Sequence, residues 1–131
     1  MKKTKIKKAH FGLYNTVIKY ETVFSFGESD EELIRKLKKY LPQDELNIEF
    51  WTDSVQGYCR IFNSGFLLIR LRELPNSCES YGVLAHEIFH SVELSLNRKG
   101  FSFNKNKPNE TMAYCIQWTT ENCYKKLNKY Y

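Results

Sequence analysis

Apolar positions change their period several times along the chain, and each change marks a new element. Residues 13 to 26 are rich in Tyr, Thr, Val, Ile and Phe. Tyr14, Ile18, Tyr20, Phe24 and Phe26 occupy even positions, the two-residue repeat of a long strand or hairpin. Ser29 followed by Asp30, Glu31 and Glu32 reads as a capping box, after which Leu33, Ile34, Leu37 and Leu41 recur at helical spacing until Pro42. Leu46, Ile48 and Phe50 alternate with Asn47, Glu49 and Trp51, as in a half-buried strand. The runs Gly57 to Phe62 and Phe66 to Leu71 flank Asn63, Ser64 and Gly65, which predicts a tight hairpin. Three antiparallel strands are expected in this region.

Pro75 closes the sheet region, and Asn76 with Glu79 three residues later forms a second capping-box pattern. A long helix should follow, with Tyr81, Leu84, Ala85, Ile88, Val92 and Leu96 as its apolar stripe. Lys99 and Gly100 supply a basic last turn and a stop. Residues 101 to 108 read as a polar, basic loop. Pro108 and Asn109 open a last helix, with Met112, Ile116, Thr120, Cys123 and Leu127 facing the core. The order β, α, β, β, β, α, α predicts an α+β architecture, a small antiparallel or mixed sheet packed on the long helix and the C-terminal helix that follows it.

Composition sharpens this picture at two points. The 131 residues carry 20 basic and 15 acidic side chains, a formal charge of +5. Lys2, Lys3, Lys5, Lys7 and Lys8 contribute that whole excess, so residues 1–9 read as a basic tail and 10–131 as a single, nearly neutral domain. No apolar core of a signal peptide follows the tail, and no uncharged stretch approaches the roughly 18 residues that span a bilayer. The expectation is a cytoplasmic chain without a membrane partner. Cys59, Cys78, Cys115 and Cys123 lie far apart without a CxxC pair, which predicts buried free thiols in a reducing setting rather than a ribbon or redox motif.

The candidate chemistry lies in the long helix, where His86, Glu87, Ile88, Phe89 and His90 form the HExxH pattern. Residues four apart stack on one helix face, so both imidazoles can reach one ion at about 2.0–2.1 Å. Glu87 is rotated by about 100 degrees from His86, which suits it to take a proton from a water at the metal rather than to bind the metal itself. Gly82, one turn earlier, leaves the approach open. A catalytic zinc site needs a third protein ligand. Leu96 occupies the place where a metzincin would carry it, and Glu93 lies on the same short helix as the pair. Glu110, in the first turn of the next helix, is the better candidate, because a loop of about ten residues allows that helix to return beside the first.

His86, Glu87 and His90, with Glu110 twenty residues beyond His90, resemble the gluzincin branch of the zincin metallopeptidases. The run Glu110 to Tyr114 is similar to the ExxA pattern of several such families, whose small Ala permits close helix packing. The resemblance covers residues 57 to 124. It implies a minimal zincin-like fold, a Zn2+ cofactor and an edge strand that binds extended peptide, with Gly65 to Leu71 as the matching segment. The chain is also similar to small zincin-like proteins encoded in phages and mobile elements. Thermolysin-like enzymes carry Asp where this chain has Tyr114, and the anti-repressor-type peptidases carry Asn at that place. The support of the histidines must therefore differ here.

The function expected is hydrolysis of a peptide or protein substrate, with metal held by His86, His90 and Glu110 and Glu87 as general base. Tyr114, or Tyr58 in the hairpin, is the candidate donor to a developing oxyanion. The alternative is a non-proteolytic zinc-binding assembly or interaction protein that retains the site, a reading favoured by the small size. Nucleic-acid binding through the lysine tail, Arg98, Lys99, Lys105 and Lys107 ranks third, because no recognised nucleic-acid motif accompanies those charges.

Overall fold

The first alternating run folds as a hairpin rather than one long strand. In the computed structural model, which describes residues 7–46, 55–101 and 109–131, strands β1 (Ala9–Asn15) and β2 (Tyr20–Phe26) pair antiparallel. The turn is held by Asn15, whose side-chain oxygen accepts the N–H groups of Val17 and Ile18 at 3.0 and 2.9 Å. Ala9, read as the end of the tail, is buried in β1, whereas Lys7 and Lys8 are exposed.

Helix α1 (Asp30–Leu37) starts where the capping pattern places it, with Ser29 Oγ accepting the N–H of Glu32 at 3.1 Å. Strands β3 (Gly57–Ile61) and β4 (Leu67–Leu71) form the second hairpin, with Phe62 N–H donating to Phe66 O at 2.8 Å at its closed end. Of the strand expected from Leu46 to Trp51, residues 47–51 lie outside the described residues, and Leu46 is buried at the end of a short 3-10 turn, Gln43–Glu45. The sheet order is β1-β2-β4-β3, and β4 runs parallel to β2, so the sheet is mixed. The class is α+β.

Two helices complete the fold, α2 (Cys78–Arg98) and α3 (Glu110–Leu127). The cap of α2 is Ser77, one residue later than expected, because the Ser80 hydroxyl reaches back to the Ser77 N–H at 2.9 Å while Ser77 Oγ accepts from Ser80 N–H. At the other end Gly100 takes φ +83, a conformation that side chains disfavour, and the following Phe101 N–H closes on Leu96 O. Asn109 caps α3 as expected. Its buried stripe is Cys115, Thr119, Cys123 and Leu127, so the face is rotated from the predicted one, and Thr119 replaces Thr120.

Strand parity then sorts the core into two layers. Phe24, Phe26, Leu67 and Ile69 face α2 and α3 and pack with Leu84, Ile88, Val92 and Leu96. Val23 and Leu68 face the other way and pack with Leu33 and Leu37 of α1. That second face also holds a buried polar hub. The Glu28 carboxylate accepts from His10 Nδ1 at 2.6 Å and Ser25 Oγ at 2.8 Å and pairs with Lys36. Arg70, fully buried in β4, reaches Asp30 at 2.5 Å and the Glu28 carbonyl at 2.9 Å. Of the four free thiols, Cys115 and Cys123 are buried, Cys59 is half-buried and Cys78 is exposed. Among the described residues no helix is long and apolar enough to cross a membrane.

Candidate metal centre

The HExxH residues occupy the middle of α2, where the helix crosses edge strand β3 and central strand β4. Leu84, Ile88 and Val92 anchor the inner face. His86 and His90 are therefore turned outward, with side chains 66% and 43% exposed, while Glu87 is turned in toward the sheet with its side chain only 8% exposed.

The two imidazoles converge. His86 Nε2 and His90 Nε2 lie 3.0 Å apart, with ring centroids at 4.6 Å. Two nitrogens bound to one tetrahedral ion at about 2.0–2.1 Å sit about 3.3 Å apart. The pair therefore fits two corners of a zinc site with a small adjustment of one rotamer. With one Nε2 protonated, the same contact is an N–H···N hydrogen bond. On the far side of the His90 ring, Glu93 Oε1 lies 3.7 Å from Nδ1, near enough for charge attraction but beyond hydrogen-bond distance.

Glu87 Oε1 is 3.9 Å from His86 Nε2. Burial pushes its carboxyl pKa up, and the neighbouring His86 and His90 partly oppose that rise. Across from Glu87, in β3, stands Cys59, a residue that sequence reasoning treated only as packing. Its thiol is pushed up to about 12, first by burial and then by the charge of Glu87. At neutral pH it is a protonated thiol. The signal that could have found it is the strand period, since Cys59 and Ile61 share the face of β3 that looks at α2.

The same period corrects one candidate. Tyr58 is on the opposite face of the sheet, packed with the α1 layer and accepting from Arg70 at 3.3 Å. It cannot serve the histidines. Tyr114 is on α3 and 41% exposed. Glu110 is exposed in the first turn of α3, and Ala113, expected between the helices, is exposed as well. Among the described residues no set of three or more His, Cys, Asp or Glu side chains converges tightly enough to hold an ion, so Glu110 is not gathered with the histidine pair.

The expected substrate edge also moves. Gly65 to Leu71 leads into β4, which is buried between β2 and β3, so among the described residues the edge strand beside α2 is β3. A groove of about 630 Å³ runs there between Gln56 and Gly57 on one side and Gly82, Val83 and His86 on the other. Gly57 sets its closeness, because an added Cβ would stand 3.0 Å from Val83 Cγ1 and 3.1 Å from Arg70 O. Gly82 keeps it open, since nothing lies within 4 Å of the place its Cβ would take. Comparison of the chain with protein-family models, with curated proteins and with solved structures yields no match to any of them.

Proposed function

We propose that this chain is a zinc-dependent peptidase of the gluzincin type, acting on peptide or protein substrates, in which His86 and His90 hold the ion. The observation that carries the reading is the 3.0 Å approach of the two Nε2 atoms beside a buried carboxyl group. A zinc ion held by these histidines would supply Lewis acidity toward a peptide carbonyl and would bring the pKa of its water to about 7. Glu87, whose pKa is raised by burial, takes the proton of the attacking water and returns it to the leaving amine. Strand β3, the edge strand there among the described residues, offers main-chain hydrogen bonds to an extended peptide lying in the groove. Tyr114 is the candidate oxyanion donor. Glu110 is assigned as third ligand on the sequence pattern alone.

A second reading is a zinc-binding assembly protein without turnover. It is favoured by one observation, that the described residues supply two converging donors and no third. Glu87→Gln separates the two. In the peptidase, this variant keeps zinc and its fold while cleavage of a reporter protein falls to background. Cleavage by the variant at the parental rate rejects Glu87 as the base. A zinc-loaded parent that cuts nothing in a broad peptide screen favours the assembly protein.

A further inference from the structure

A second cavity, separate from the histidine groove, lies at the far end of α2. His90 and Arg98 are eight residues apart, or about 12 Å along the helix axis. There the β1–β2 turn, the tip of the β3–β4 hairpin and the last turn of α2 enclose about 490 Å³. That volume falls in the range of small-molecule sites, roughly 300–1,000 Å³.

Three cations line it: Lys19, Arg98 and Lys99, against the single carboxylate of Glu21. None of the three is joined to a carboxylate among the described residues, whereas Lys8, Lys36 and Arg70 all are. Arg98 is also held in place, because it donates to the carbonyl of Asn63 and fills the space where Gly65 has no side chain. Aromatic rings stand beside this charge. Tyr14 and Tyr40 line the cavity at 54% and 66% exposure, and Tyr40 stacks on Phe66 with centroids 6.5 Å apart.

The independent observation is Ser95. It lines the same cavity, is only 2% exposed, and its hydroxyl has no hydrogen-bond partner among the described residues. Ser91, one turn earlier, satisfies its hydroxyl on Ile88 O at 2.7 Å. Ser95 has given up that local bond, and a buried hydroxyl left unmade is unfavourable unless something else meets it. The carbonyl end of a helix is by itself a poor place for an anion. Arg98 and Lys99 reverse that local sign.

We infer that this cavity binds a nucleotide, with its phosphate against Lys19, Lys99 and the Ser95 hydroxyl and its base on the exposed faces of Tyr14 and Tyr40. Cations with exposed aromatic faces are the combination that recognises phosphate and flat base together. The inference is independent of the metal centre.

The test is titration of the full-length chain with adenosine monophosphate, inorganic phosphate and adenosine, followed by amide resonances and calorimetry. The monophosphate should saturate, shift the amides of Lys19, Ser95 and Lys99, and bind more tightly than either fragment. Lys19→Ala and Lys99→Ala should each weaken it about tenfold, the loss of one charged hydrogen bond. Ser95→Ala should weaken binding while raising the Tm of the free protein, which a purely structural serine would not do. His86→Ala should bind the nucleotide as the parent does. No saturable shift at millimolar monophosphate, or binding unaffected by Lys99→Ala and Ser95→Ala, overturns the inference. A short oligonucleotide that binds where the mononucleotide does not overturns it too.

Discussion

Replacing Glu28 with glutamine removes one charge from the buried hub and leaves its shape. The carboxylate is almost sealed from solvent, at 1% exposure, and is met by His10, Ser25 and Lys36. Burial alone would raise its pKa, but the bonds from His10, Lys36 and Ser25 outweigh burial and lower it from 4.5 to about 2. Each unit is worth about 1.4 kcal/mol, so the ionised form contributes about 3 kcal/mol to stability. Lys36 is 39% exposed, and solvent screens its share. A depressed folded-state pKa means that the unfolded chain binds the proton more readily. The contribution is therefore complete above about pH 4.5 and disappears as pH falls toward 2. Urea denaturation of the parent and Glu28→Gln should differ by about 3 kcal/mol at neutral pH, and the gap should close on acidification across that window. A gap that stays constant into acid, or one below the roughly 1 kcal/mol of a solvated surface pair, refutes the reasoning.

Four further outcomes follow from the groove and its ligands. Gly82→Ala should raise stability by up to about 1 kcal/mol, read by thermal melting, because it adds helix propensity where nothing lies within 4 Å, while Gly82→Trp should block substrate without lowering the Tm. Gly57→Ala should destabilise by about 1–3 kcal/mol in denaturant titrations, because one neighbour of the new Cβ is the Arg70 backbone oxygen at 3.1 Å, which cannot turn aside. Glu110→Ala should weaken zinc binding in a competition titration with the fold intact, and unchanged affinity would show that the third donor lies elsewhere.

Local patterns carried much of the fold. Ser29, Asn109 and Gly100 mark real helix boundaries, and Asn63-Ser64-Gly65 marks a real hairpin, because each is decided by side chains within a few residues of the boundary. The parallel pairing of β2 with β4 was not legible, since it joins residues about 45 apart and no turn dictates it. Nor was the hub, which brings His10, Ser25, Glu28, Lys36 and Arg70 together from two strands, a loop, a helix and a third strand. The second α2 cap was misplaced by one residue because Ser80 does the work usually given to glutamate.

At the site the same division holds. The i, i+4 spacing foretold the meeting of His86 and His90, and the 100-degree offset foretold a separate setting for Glu87, which is buried where they are exposed. The position of Glu110 depends on how α3 returns across residues 102–108, and spacing alone carries no information on that path. The arm expected to be a sheet edge, Gly65 to Leu71, is instead paired on both sides, because alternation tells faces apart but not neighbours.

The central claim is that the histidine pair is a metal site, and zinc affinity tests it most directly. Competition titration of the parent, His86→Ala and His90→Ala should give one zinc per chain for the parent. Each single variant should weaken it by more than the roughly 10–100-fold that the loss of an outer-shell partner causes, with helix content unchanged. Zinc that binds the parent and both variants with equal affinity, or does not bind the parent at all, would contradict the account.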